Sequence, residues 1–208
     1  MKKTLLISIF SFIVLVASAQ KDSTKNDEFK TIIGKNAVHG AYFGLTGGYS
    51  LINGNDAGVM GARMGWVINH SFVIGLAGNG FINNVNMNYS NGNEYFISGG
   101  YGGLLFEFCV GPKMPIHVNF PVLIGVGGVA YNNSSYDEFS DDWNMNTEDA
   151  DAFAVIEPGI ELELNMMKHL RMGFGASYRF TNNINLDGFN NNLLNGLSVG
   201  MTLKLGKF

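Results

Sequence analysis

Two neighbouring stretches place ionisable groups at every second position. In residues 152–165, Glu157, Glu161 and Glu163 share one parity, while Ala154, Ile156, Ile160, Leu162 and Leu164 share the other. In residues 170–182, Arg171 and Arg179 alternate in the same way with Leu170, Met172, Phe174, Ala176, Tyr178 and Phe180. Arg63, Glu107 and Lys204 hold the equivalent parity of their own segments, completing a set of four acids and four bases. Matched ions on an otherwise small-residue face predict an interior ion-pair network, either static or gating a lumen. A turn centred near Met167 sets Glu163 opposite Arg171 and Glu157 diagonal to Arg179, with Glu161 between the two arginines.

Other candidate groups carry weaker signals. Residues 132–151 hold Asp137, Glu138, Asp141, Asp142, Glu148, Asp149 and Asp151 with no Lys or Arg, which predicts a solvated loop and at most weak divalent-cation binding. Asp142, Asn144 and Asn146 imitate the opening of an EF-hand, but Thr147 stands at the required glycine and Phe153 at the final glutamate. His39, His70, His117 and His169 fall near short connections and read as interfacial turn residues. Cys109 is the single cysteine, which excludes a disulfide framework and reads as a buried strand residue. No Ser-His-acid spacing is visible, so we expect no catalytic residues, no cofactor and no metal centre.

The elements that position these groups follow from patterning. Lys2 and Lys3, an apolar run from Leu5 to Val16 and the Ala17-Ser18-Ala19 sequence form an export signal over residues 1–19, giving a mature chain from about Gln20. Residues 20–37 lack periodicity and form a tether. Residues 38–208 divide into eight alternating segments, near 38–50, 57–68, 71–82, 96–111, 116–131, 152–165, 170–182 and 196–207. Each approaches or exceeds the roughly 9–11 residues of a tilted membrane strand, and no later stretch offers the roughly 20 apolar residues of a helical span. Connections alternate between short (69–70, 112–115, 166–169) and longer (51–56, 83–95, 132–151, 183–195), the asymmetry of an outer-membrane barrel. One parity is almost wholly apolar; the other holds glycines and the eight ions. Turning the ions outward would cost roughly 2–4 kcal/mol per base at the bilayer midplane, which fixes the apolar parity outside. Tyr49, Tyr131, Phe153, Tyr178 and Phe180 are expected as one aromatic girdle, and Trp66, Phe72, Phe108 and Phe120 as the other. The acidic balance, with formal net charge −4, excludes nucleic acid as a partner.

The signal, the eight segments, the alternating connections and the terminal Phe208 make residues 38–208 resemble the small bacterial outer-membrane β-barrels: the OmpA transmembrane domain and the OmpX-like, OmpW-like and PorT-like proteins. The resemblance implies an all-β, eight-stranded antiparallel up-and-down transmembrane barrel in a Gram-negative outer membrane. It implies a monomer in contact with outer-membrane lipid and lipopolysaccharide, delivered by the barrel-assembly machinery through a C-terminal aromatic such as Phe208. Phe208 departs from that pattern, because it lies out of phase with Leu203 and Leu205 unless a bulge near Gly206-Lys207 restores the phase. The implied role is envelope structure or surface interaction through the external loops, with an extracellular or periplasmic protein partner. Alternatives are an OmpW-like transporter of small hydrophobic molecules through glycine-rich strands 4 and 5, a narrow gated pore, a lipid A-modifying enzyme, and a soluble ligand-binding barrel.

Overall fold

The computed structural model describes residues 37–85, 93–137, 142–182, 184–186 and 188–208. The expected signal peptide and nearly all of the tether lie outside these residues. Eight strands form the fold: β1 (His39–Ile52), β2 (Asn55–Ile68), β3 (Phe72–Val85), β4 (Asn93–Val110), β5 (Ile116–Asp137), β6 (Asp142–Met167), β7 (Leu170–Thr181) and β8 (Gly196–Lys207). Each pairs antiparallel with its sequence neighbours, and β8 pairs with β1 to close the barrel. Closure removes the open sheet edges that hydrocarbon cannot satisfy.

The alternation dictates two unlike faces. Outward positions such as Leu45, Met64, Leu76, Leu104, Val126, Ile160 and Leu203 are each at least 41% exposed, so the external wall is a continuous apolar surface. A soluble barrel would bury these side chains; only hydrocarbon leaves them both exposed and stable. Inward positions form three layers. Tyr42, Val67 and Val73 pack together at the short-turn end, with Phe208 against them. Charged residues fill the middle. At the other end Phe81, Ile97, Tyr101, Leu123, Phe153 and Val155 join Ile184, Leu186, Leu193 and Leu194 of the β7–β8 connection in one apolar cluster.

The strands depart from expectation at the long-loop end. The expected loop at 51–56 is a hairpin turn of Asn53 (φ 51°) and Gly54 (φ 78°), the pair of positive dihedrals that a two-residue turn between twisted strands requires. The expected acidic loop at 132–151 is mostly a hairpin: β5 and β6 pair from Asn132↔Thr147 to Asp137↔Asp142, past an irregularity at Tyr131/Asn132. Asn, Ser and Asp residues mask this ribbon in the sequence, because they favour turns. β6 is 26 residues long against 14 in β1, so it rises about 12 residues higher. At roughly 3.3 Å per residue and a tilt near 40°, the ribbon stands about 30 Å above the β1–β2 rim.

The β6–β7 register also differs from expectation. The turn falls on Lys168-His169, with an irregularity between Asn165 and Met167, so Glu163 faces Gly173 and Arg171 faces Asn165. The slip from the expected pairing is two residues. An even slip leaves every side chain on its original face, so the inside–outside assignment survives the error.

Candidate functional site

The inward charges of the lower lumen come from five strands and meet in one cluster. Glu107 on β4 binds Lys204 of β8 through both oxygens (3.0 and 2.9 Å) and Arg63 of β2 at 3.2 Å. Lys204 Nζ lies 2.6 Å from Glu163 Oε1 and 3.7 Å from Glu161 Oε2. Arg63 Nη1 reaches Glu161 Oε1 at 2.9 Å, and Arg171 Nη1 stands 3.7 Å from Glu163 Oε2. Thr202 and Asn119 donate further hydrogen bonds to Glu161. Glu107, Glu163 and Lys204 are almost completely buried, and each carboxylate has at least two cationic partners. That multiplicity is what offsets the desolvation of ions taken out of water.

Glu157 and Arg179 form a separate, upper group. Tyr101 donates its hydroxyl to Glu157 (2.6 Å), Ser177 donates to the other oxygen, and Arg179 Nη1 donates to the Tyr101 hydroxyl (3.4 Å). Arg179 is fully buried, lies over the Phe81 and Tyr101 rings and donates Nε–H to the Leu194 carbonyl at 2.7 Å. It thereby pins the β7–β8 connection across the barrel mouth. Between the two groups lies a cavity of about 100 Å³ lined by polar residues such as Thr46, Asn79, Glu157 and Glu161 and by apolar ones such as Val59, Leu105 and Leu123.

Several expectations need correction. Glu161 faces Gly175, midway between Arg171 and Arg179 as expected, but its ion pairs are with Arg63 and Lys204, which reach it from β2 and β8. His117 is not an interfacial turn residue. Its parity points inward, where it is buried with Nε2 3.0 Å from Glu163 Oε2. Its even spacing from the inward Asn119 on the same strand was the signal that could have found it. Phe153 is 3% exposed inside the barrel, and Tyr131 packs edge-on against Phe189, so neither belongs to a girdle. The ladder runs regularly to Ala41↔Lys207, without a bulge. Phe208 stays on the inner side, stacked on Tyr42 and under the Arg171 guanidinium at 4.0 Å. The Asn-rich connection expected as a contact loop near 183–195 folds its leucines into the lumen as a lid.

The external acidic group is described only in part. Glu138 and Asp141, and the side chains of Asp137 and Asp142, lie outside the described residues. Asp149 and Asp151 accept the N–H groups of Ala150 and Ala152 at 2.8 Å each. Asp151 also accepts from Asn185 N at 2.7 Å. β7 pairs with β6 only from Val155 onward, so residues 142–150 form a strand edge with no neighbouring strand on that side among the described residues.

An apolar exterior, a filled interior and eight antiparallel strands define a small transmembrane β-barrel of the outer-membrane type. Within that class the chain is similar to Neisserial surface protein A, with 7% identity, 84% of this chain and 100% of that chain covered, and a TM-score of 0.52. Structures of the N-terminal β-barrel domain of Pseudomonas aeruginosa OprF (10% identity, 80% and 96% covered, TM-score 0.41) and of Yersinia pestis Ail with the heparin analogue sucrose octasulfate (9%, 81% and 95%, 0.44) also match. No protein-family model and no curated protein matches the chain. At these identities the likeness is one of fold.

Proposed function

We propose that this chain is an integral protein of a Gram-negative outer membrane, exported by residues 1–19 and closed to bulk flow. It acts by presenting the β4–β5–β6 sheet at the cell surface to a protein partner rich in basic side chains. The observation that carries this reading is the combination of a filled lumen with a projecting, acidic strand edge that has no neighbouring strand among the described residues. Three layers fill the lumen and support this reading: an aromatic layer with Phe208 at one end, the ion cluster in the middle and the leucine lid at the other. The edge offers backbone groups for an added strand, and residues 137–151 around it hold seven acids and no base. Their charge favours a cationic partner over an anionic one.

The glycine-rich tracts of β4 and β5, which the transporter reading would open, are zipped together. Gly103 faces Gly125, and a Cβ at Gly103 would lie 2.2 Å from the Ile124 carbonyl oxygen. The barrel reading is tested by heat-modifiability on gels, and the display reading by protease shaving of intact cells. Cleavage within residues 132–151 in intact cells, with the rest of the barrel protected, supports the proposal. Cleavage there only after the outer membrane is permeabilised overturns it.

A further inference from the structure

We propose that Cys109, His117 and Glu163 form a binding site for one zinc-class divalent cation at the short-turn end of the lumen. The three residues project inward from adjacent strands. Register sets His117 directly opposite Glu163 and Cys109 opposite Asn119, two residues further along β5. All three are buried, and one potential ligand atom from each lies within 4.8 Å of the others. Thiolate, imidazole and carboxylate are the donors of zinc sites. Tetrahedral bonds of roughly 2.0–2.3 Å separate ligand atoms by roughly 3.4–3.6 Å. Closing the site therefore needs side-chain movements on the order of 1 Å.

The hydrogen bonding of His117 strengthens the assignment. Its Nδ1 faces the Met114 carbonyl at 3.3 Å and its Nε2 faces Glu163 Oε2 at 3.0 Å. Both neighbours are acceptors, and a neutral imidazole has a single N–H to offer. A neutral imidazole that gives its Nδ1–H to the Met114 carbonyl aims its Nε2 lone pair at the space beside Glu163 Oε2, where a cation would lie between two donors. An Nδ1–H bond to a backbone carbonyl is the outer contact that orients imidazoles toward metals. With both nitrogens engaged, His117 cannot serve as a base for Cys109, which removes the nucleophile reading of the same three residues. Cys109 Sγ makes no hydrogen bond among the described residues and is left as the third donor.

Lys204 at 2.6 Å and Arg171 at 3.7 Å from Glu163 do not forbid the cation. One M²⁺ enters as the Cys109 thiol gives its proton to periplasmic water and His117 presents its Nε2 lone pair, so the cluster gains one positive charge, held against the new thiolate and the Glu163 carboxylate. Lys204 keeps Glu163 Oε1, and Oε2 turns to the metal. The soft sulfur donor selects zinc-like ions over Mg²⁺ and Ca²⁺. The ion would clip β4, β5 and β6 together below the ion cluster.

The test uses the full mature chain refolded in detergent, with Zn²⁺ for equilibrium dialysis and Co²⁺ as a spectroscopic probe. We expect one Zn²⁺ per folded chain, a sulfur-to-cobalt charge-transfer band, and no competition from excess Mg²⁺. Cys109→Ala, which tolerates a small inward side chain, removes the charge-transfer band and weakens Zn²⁺ binding beyond the 10–100-fold typical of outer-shell changes. Glu157→Gln, in the upper group, leaves binding intact and controls for general damage. Gel heat-modifiability verifies that each variant is folded. A folded parent that binds no Zn²⁺, or a folded Cys109→Ala or His117→Gln variant that binds it as tightly as the parent, overturns the proposal.

Discussion

Replacing Lys204 by Met tests whether the lower cluster is a balanced unit. Lys204 is 2% exposed and lies within 4.0 Å of three carboxylates, Glu107, Glu161 and Glu163. Methionine preserves much of the volume but leaves those three acids with Arg63 and Arg171 alone. Removing one partner of a buried ion pair typically costs about 3–5 kcal/mol, or roughly two to three and a half decades in the unfolding equilibrium. With a urea dependence of roughly 2 kcal/mol per molar, the unfolding midpoint falls by roughly 1.5–2.5 M. Adding Glu107→Gln to Lys204→Met restores the balance, because Arg63 then serves Glu161 and Arg171 serves Glu163. The double variant is therefore more stable than Lys204→Met alone, with a coupling of roughly 1–3 kcal/mol. Urea titration of lipid-refolded protein, followed by gel mobility and tryptophan emission, reads both values. A single variant within about 1 kcal/mol of the parent refutes the argument, as does a double variant that shows the simple sum of both losses.

Three further outcomes follow from the same geometry. Leu104→Arg on the lipid side, where Leu104 is 51% exposed, destabilises the barrel by roughly 2–4 kcal/mol in bilayers if the site lies near the midplane, measured by the same titration. Arg171→Ala and Arg179→Ala leave single-channel conductance in planar bilayers negligible, because the Phe208 layer and the leucine lid close opposite ends of the lumen. Leu194→Ala, which empties a fully buried position of the lid, lowers stability by about 2–5 kcal/mol in urea unfolding and makes an engineered thiol at position 193 accessible to maleimide on intact cells.

Strand number and face were legible because they depend on period-2 alternation, which is local. Strands β7 and β8 were placed within a residue of their ends. Register was less legible: the β6–β7 turn was set at Met167 when Lys168 and His169 make it, since both sites leave the same parity facing lipid. Side-chain partners across the lumen were less legible still, because Arg63 and Lys204 reach Glu161 from strands far away in sequence. The apolar layers were readable in principle. Phe81, Tyr101, Leu123 and Phe153 sit on the inner parity, but the charges drew the reading toward a wholly polar interior. The lid was hidden by composition, as Asn190, Asn191 and Asn192 precede Leu193 and Leu194 and mask an apolar pair inside a polar connection.

The tall β5–β6 ribbon has one more consequence. An unstructured loop must surrender its conformational freedom when it meets a partner, whereas a paired ribbon has already surrendered most of it during folding. The encounter is then closer to a rigid mast touching a surface than to a rope being tied. The docking proposed above, made along strands already paired, is then shape-selective and survives exchange of the rest of the barrel.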